Sequence, residues 1–346
     1  MRSSTGKSCK EARGGVHGRV FPHSYNDIIS VENLLGAWKE FRRGKRSKLD
    51  VLEFQSDLIY QVTKLHGELM SKTYKHGGYK HFKISDPKPR DIHKASVRDR
   101  LLHHAVYRIL YPYFEAQFIH DSYSCRLGKG THKAMNRFRS FAAKISCNHT
   151  RTCWVLKCDI RKFFASIEHA ALLDILCSRI SDQDILWLLR EVIGSFCSKG
   201  SPCSKGLPLG NLTSQLLVNV YMNEFDQFVK HKLKVIYYIR YADDFVLLSH
   251  ERHYLEQTLS YMEVFLQEKL KLELHSDKVF IKTVASGVDF LGWVHFANHR
   301  VLRTSTKRRM FRRLREREGS LGEEAARQSY FGMLGHGNAR KLRTKI

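Results

Sequence analysis

Acid is what this sequence is short of. Its 346 residues carry 34 Asp and Glu against 59 Lys and Arg, a formal charge of +25. Such an excess of one sign suits a polyanionic partner, nucleic acid before an anionic membrane. Long apolar runs are missing too. No stretch is long enough to span a bilayer, and Met1–Gly18 has no signal-peptide pattern. The expectation is a cytoplasmic protein with no membrane partner. Eight cysteines, at 9, 125, 147, 153, 158, 177, 197 and 203, include no Cys-x-x-Cys, which argues against a zinc ribbon or a redox pair. Cys158, Cys177 and Cys197 sit in apolar runs and read as small core residues of a reduced protein. The 19 histidines offer no His-x-x-x-His pair with a suitable acid, so metal binding by histidine is not expected. A P-loop and internal repeats are also absent.

What is present is a folded chain, 42% hydrophobic and 11% aromatic, large enough for two or three lobes. Its most informative stretch is Tyr237-Tyr-Ile-Arg-Tyr-Ala-Asp-Asp-Phe-Val-Leu-Leu-Ser249. Two β-prone runs, Val235–Tyr241 and Phe245–Ser249, flank Ala242-Asp-Asp and predict a hairpin with both carboxylates at its tip. Adjacent like charges repel, and oxygen-only donors suit Mg²⁺; a solvated Asp-Asp turn is the plainer reading. Trp154-Val-Leu-Lys-Cys-Asp159 predicts a strand ending on a third acid. Taken alone Asp159 is equally a helix-entry residue, and a helix is expected from Ile160 through Ile180.

The remaining segments supply charge and shape. Tyr79–Ile84 and Arg90-Asp-Ile92 predict a hairpin, from which Lys83 and Arg90 would project toward a triphosphate unless the hairpin is merely basic. Arg42–Lys48 is a basic connector, phosphate-binding or solvated. Arg98 opens a helix expected over Val97–Phe118. The loop from Ser122 carries Arg126, Lys129 and Lys133 around Gly128 and Gly130, glycines that let backbone approach a ligand. Gly206-Leu-Pro-Leu-Gly-Asn-Leu-Thr-Ser-Gln215 shapes a tight loop before a helix running to about Lys232, and its opening amides could face a nucleotide or template. Leu270, Leu272 and Leu274 alternate as a strand, Lys278 follows, and Asp289–Trp293 is a compact turn. Arg303–Arg317 predicts a basic helix bearing Arg308, Arg309, Arg312 and Arg313, ahead of a glycine-rich tail, Ser329–Asn338.

In this order the blocks resemble reverse transcriptases over roughly residues 75–300. The resemblance implies an α+β right-hand polymerase. A basic segment 1–48 would precede fingers at 49–152, a palm of antiparallel sheet and helices at 153–300, and a short helical thumb with tail at 301–346. It implies RNA-directed DNA synthesis from a template RNA, a DNA primer or cDNA, and dNTPs, with two Mg²⁺ ions. Asp159 and Asp243 would be the principal metal ligands, with Asp244 adjoining. Lys278 would protonate pyrophosphate, or be a solvated turn lysine. Phe164 would be a steric gate against ribose, or simple core. Lys83 and Arg90 would hold the triphosphate, beside Leu209, Gly210 and Gln215. Leu209-Gly210 followed by Ser214-Gln215, where many reverse transcriptases carry Gln-Gly and Ser-Pro, resembles diversity-generating retroelement enzymes. That group copies RNA with errors at adenines and works with a small basic oligomeric accessory protein. Ser329-Tyr-Phe-Gly with His336-Gly-Asn338 resembles it more weakly. The alternatives are a retron or group II intron reverse transcriptase, though residues 301–346 leave little room for maturase or endonuclease regions. An RNA-templated RNA polymerase and a non-catalytic RNA-binding palm protein also stand as alternatives; Phe164 speaks against the first and the three acids against the second.

Overall fold

A computed structural model describes residues 20–85, 89–197 and 204–346. The chain divides into two compact units that interleave in sequence. The first takes residues up to 118, 162–225 and 267–272; the second takes 119–161, 226–266 and 273–346.

Helices dominate the first unit. α1 (Tyr25–Ile29), α2 (Val31–Phe41), α3 (Leu49–Ser56) and α4 (Leu58–Met70) bury Ile28, Leu34, Trp38, Val62 and Leu65. A ribbon follows, β1 (Tyr79–Ile84) paired antiparallel with β2 (Arg90–Ala95). α5 (Val97–Glu115) begins at Ser96, whose hydroxyl accepts the amide of Asp99.

The expected single helix over 160–180 is broken. α7 (Phe163–Ser166) starts after Lys162 at φ +45, and Ile167 and Glu168 are extended before α8 (His169–Arg179). Glu168 forms a bridge with Lys205, so local pairing overrides helical periodicity there. Asp182 caps α9 (Gln183–Gly194) through the amides of Asp184 and Ile185. α10 (Leu212–Gln227) continues as a π-turn over Phe228–Lys232.

A four-stranded antiparallel sheet organises the second unit. It contains β3 (Trp154–Asp159), β4 (Tyr238–Tyr241), β5 (Asp244–Ser249) and β6 (Phe280–Thr283), in the order β4-β5-β3-β6. α6 (Thr131–Ile145) brings Phe138 and Phe141 into a core with Val155, Ile239, Val246 and Leu248. Because strand side chains alternate, Val155, Lys157 and Asp159 share a face of β3, and Asp244, Val246 and Leu248 share one on β5. The face that is apolar at its α6 end therefore finishes in Lys157, Asp159 and Asp244.

Leu270, Leu272 and Leu274 do not form a strand. α11 (Arg252–Leu270) runs through Leu270 and stops at Lys271, which has φ +50. Leu274 contributes only a bridge to Ile160. A small sheet then forms from β7 (Val288–Phe290), β8 (Trp293–His295) and β9 (Arg300–Leu302). α12 (Thr304–Glu316), α13 (Glu323–Leu334) and α14 (Arg340–Arg343) complete the chain. Met310, Leu334 and Ala339 pack with Trp293, Leu302 and Met135. The glycine-rich tail is thus partly helical: Ser329–Leu334 lies within α13.

Candidate active site

The hairpin turn is Ala242-Asp243, with Tyr241 paired to Asp244 across it. Only Asp243 is at the tip; Asp244 already belongs to β5, a correction to the expectation of two tip carboxylates. Ala242 takes φ +57, a left-handed conformation that costs a non-glycine residue on the order of 1 kcal/mol.

The turn is held from below. Arg240 is fully buried and donates from Nε and Nη2 to the two carboxylate oxygens of Asp226 at 2.8 and 2.7 Å. Its Nη1 reaches the Ala242 carbonyl at 3.1 Å, and its Nη2 also reaches the Ser122 hydroxyl at 3.1 Å. The Tyr238 hydroxyl donates to Asp226 at 2.7 Å. Burial pulls the Arg240 guanidinium down, but the Asp226 carboxylate outweighs it and raises its proton affinity.

Register brings the third acid alongside. Asp159 is the Cα partner of Asp244, and the Ile160 amide donates to the Asp243 carbonyl at 3.2 Å. Lys278 donates to Asp159 Oδ1 at 2.8 Å, and Lys157 stands 3.5 Å from Asp244 Oδ2. The other Asp244 oxygen, Oδ1, is sealed from solvent without a hydrogen-bond partner. Burial pushes the Asp244 carboxyl up to about 7, with Asp159 and Asp243 adding to the effect and Lys157 opposing it. Carboxylate oxygens are hard donors suited to Mg²⁺, and the orphan Asp244 oxygen is an acceptor a cation would satisfy. Among the described residues no three such side chains converge into a complete ligand set; lysines hold two of the three carboxylates instead.

The sequence-chosen nucleotide residues lie in the other unit. The β1–β2 hairpin is present, but Lys83 pairs with Asp91 and Ile84 with Arg90, which places Lys83 and Arg90 on opposite faces of the ribbon. Both are exposed. Arg90 shares its face with Ile92, whose methyl lies 3.0 Å from where a Cβ on Gly210 would be; Gly210 has φ +107. The Leu209 carbonyl accepts the His93 amide at 3.1 Å, and the Asn211 side chain donates to the His93 carbonyl at 2.9 Å. The loop at residues 209–211 is therefore stitched to β2. Phe164 is half-buried on α7, with its carbonyl accepting the Leu207 amide at 2.8 Å. Gln215 is half-buried in the first turn of α10.

Several basic candidates are committed within the chain. Arg98 pairs with Glu68 and lies over the Tyr74 ring at 4.8 Å. Arg126 donates to the Ile119 and Ser122 carbonyls, Lys129 to His120 and Lys133 to Gly128, so these three shape their own loop. On α12, Arg308 and Arg312 are exposed while Arg309 and Arg313 are half-buried. Two functional features escaped sequence reasoning. Lys157 was readable, since it lies two residues before Asp159 on the same strand face. The Arg240–Asp226 pair was not, because Asp226 reads as an ordinary polar helix residue.

The family model of the reverse transcriptase (RNA-dependent DNA polymerase) matches residues 81–295. The chain belongs to the reverse transcriptase family. It is 28% identical to Protein YkfC of Escherichia coli K12 over 73% of this chain and 74% of that protein. It is 23% identical to the group II intron-encoded protein LtrA of Lactococcus lactis subsp. cremoris, over 66% of this chain but 47% of LtrA. Among solved structures, apo telomerase from Candida tropicalis matches with TM-score 0.50 and 11% identity, over 68% of this chain and 52% of that one. That likeness concerns the fold alone, a mixed helix and sheet arrangement consistent with the right-hand polymerase. Among the described residues no helix is long and apolar enough to cross a membrane.

Proposed function

We propose that this reverse transcriptase copies a template RNA into cDNA from a DNA primer and dNTPs at the site formed by Asp159, Asp243 and Asp244. The observation that carries this is the β3–β5 register, which sets Asp159 against the Tyr-Ala-Asp-Asp hairpin. Asp159 and Asp243 would hold two Mg²⁺ ions, with Asp244 adjoining. The pair, when bound, supplies charge neutralisation for the transferring phosphate and the leaving pyrophosphate. Lys278, which donates to Asp159, would give a proton to the leaving group. Phe164 would exclude the ribose 2′-hydroxyl, and Arg90 and Lys83 would meet the triphosphate from opposite ribbon faces. Fingers at 49–152, palm at 153–300 and thumb at 301–346 are the functional division that accompanies this reading, in a cytoplasmic enzyme. Primer extension with Mg²⁺ and dNTPs tests it: Asp243→Asn should abolish synthesis while RNA binding persists. Retained extension would sink the assignment.

Within this activity we infer a diversity-generating retroelement enzyme, aided by a small basic accessory protein. Support comes from Leu209-Gly210 and Ser214-Gln215 in the loop attached to β2. Leu209 lacks the polar contact a glutamine would offer, worth ~1 kcal/mol, or several-fold in selectivity. The group II intron reading has its own support in the likeness to LtrA. Sequencing cDNA separates them: mismatches concentrated at template adenines, reduced by Leu209→Gln, support the first reading, and uniformly accurate cDNA supports the second.

A further inference from the structure

The second unit contains a cavity of about 260 Å³, and none of Asp159, Asp243 and Asp244 lines it. Its polar wall comes from Arg139 on α6, His295 on β8, His299 and Arg300 at the start of β9, and His336 and Asn338 after α13. No carboxylate lines it. We propose that this pocket binds a phosphate group, presented by the backbone of a bound nucleic acid.

Arg300 carries the argument. It is half-buried, and among the described residues its side-chain hydrogen-bond partners are neutral: Nε donates to the His336 carbonyl and Nη2 to Asn136 Oδ1 at 3.0 Å. Its third nitrogen, Nη1, is buried without a hydrogen-bond partner. The Asn338 amide donates back to the Arg300 carbonyl at 2.9 Å, which ties the wall together. A desolvated guanidinium with only neutral partners keeps its full positive charge. Such groups are ordinarily paired with an anion. Arg139 adds a second charge nearby, is exposed, and makes no ion pair with any described residue. Burial and Arg139 both lower the proton affinity of Arg300, the direction expected of crowded cations. His299 and His336 contribute ring nitrogens, and each imidazole has at least one N–H to donate.

Shape and surroundings indicate what the anion belongs to. The wall is built in advance: a Cβ on Gly337 would run into the Trp293 ring, so the backbone there is pressed against an aromatic plate. A cavity of about 260 Å³ is below the usual range of roughly 300–1,000 Å³ for drug-sized ligands, and suits one phosphate with part of a sugar. Arginine's planar fork matches a phosphate's oxygens. α12, which shares a core with this wall through Met310 and Leu334, displays the exposed Arg308 and Arg312. One unit therefore offers exposed arginines on α12 outside the pocket, of which Arg312 pairs with Glu316, and an uncompensated arginine within it.

The proposal rests on the nucleic-acid-binding part of the proposed function, and the test keeps the two apart. The full chain is titrated into a fluorescein-labelled single-stranded RNA 20-mer at several salt concentrations. Arg139→Gln is the first variant, because its side chain holds nothing in the fold. It should weaken binding roughly three- to tenfold and flatten the slope of log K against log salt by about 0.7, the share of one phosphate contact on a single strand. Arg300→Lys, which keeps the charge but loses the fork, should weaken binding while leaving the slope nearly unchanged. Phenylglyoxal modification of wild type, read by mass spectrometry, should show Arg139 protected by the RNA. An Arg139→Gln protein with wild-type affinity and slope overturns the proposal. Protection by inorganic phosphate but not by RNA overturns the nucleic-acid source. If the wild-type chain does not bind RNA at all, the failure lies in the proposed function.

Discussion

Removing Asp226 should be among the most damaging single changes to the four-stranded sheet. Asp226 and Arg240 are both fully buried, and Asp226 accepts from Arg240 and from the Tyr238 hydroxyl. Asp226→Ala leaves a guanidinium charge in the interior without the carboxylate that raises its proton affinity. Breaking one side of a buried pair costs about 3–5 kcal/mol. Replacing both partners, Asp226→Leu with Arg240→Met, removes the charge altogether. What remains is the loss of donors to the Ala242 carbonyl and Ser122 and of the acceptor for Tyr238, about 1 kcal/mol each, partly offset by apolar packing. The double variant should therefore be about 2 kcal/mol less stable than wild type, less damaged than Asp226→Ala alone. The assay is native-state hydrogen exchange at the amides of β4 and β5, which reads the sheet without assuming that the whole chain unfolds in one step. An Asp226→Ala cost below about 1 kcal/mol, or a double variant as costly as the two single changes added together, would refute the reasoning.

Three further outcomes are expected. The buried His295 has its pKa lowered to about 4 by burial and then by Arg300, so between about 6.5 and 4 the unfolded chain binds the extra proton. Its contribution is intact above pH 6.5, and about 3 kcal/mol is lost as pH falls to 4; urea melts across that range should flatten in His295→Gln, and an unchanged acid profile would count against it. Gly337→Ala drives a Cβ into the Trp293 ring and should lower stability by about 1–3 kcal/mol, visible as a lower melting temperature. Phe164→Ala should raise ribonucleotide use relative to dNTP by roughly ten- to a hundredfold in single-nucleotide extension; unchanged discrimination would return Phe164 to the core.

Much of the sheet was legible because strand periodicity and burial agree in it. β3 has the bounds read from Trp154–Asp159, and the β1–β2 hairpin begins where Tyr79 and Arg90 were placed. Errors arose where two periods overlap. Leu266, Leu270 and Leu272 are all buried, so a helix end imitates an alternating strand. The stretch after Ile160 has helical spacing, but Lys162 at φ +45 and the Glu168–Lys205 bridge interrupt it; the latter depends on a residue 37 positions away. The acids were readable as types and not as places: which side of the turn Asp244 falls on depends on the β4–β5 register, and a one-residue shift moves a carboxylate from tip to strand. The same holds for Lys83 and Arg90, whose opposite faces follow from their ribbon partners.

The two lysines in the site divide the work of the three acids. Lys157 is among the buried charged residues and stands in the middle of the sheet, so its charge stays beside Asp244. Lys278 keeps 42% of its side-chain surface exposed and approaches Asp159 from a short 3-10 turn after α11. A lysine that remains in contact with water loses little on leaving its partner, whereas a buried one has nowhere to go. Asp159 is therefore held by the more mobile partner, whereas Asp244 lies between two opposed influences, burial that favours its neutral form and Lys157 that favours its charged one. On the proposed function Asp159 would hold a cation, and Lys278, the more exposed of the two lysines, would be the one to protonate the leaving phosphate.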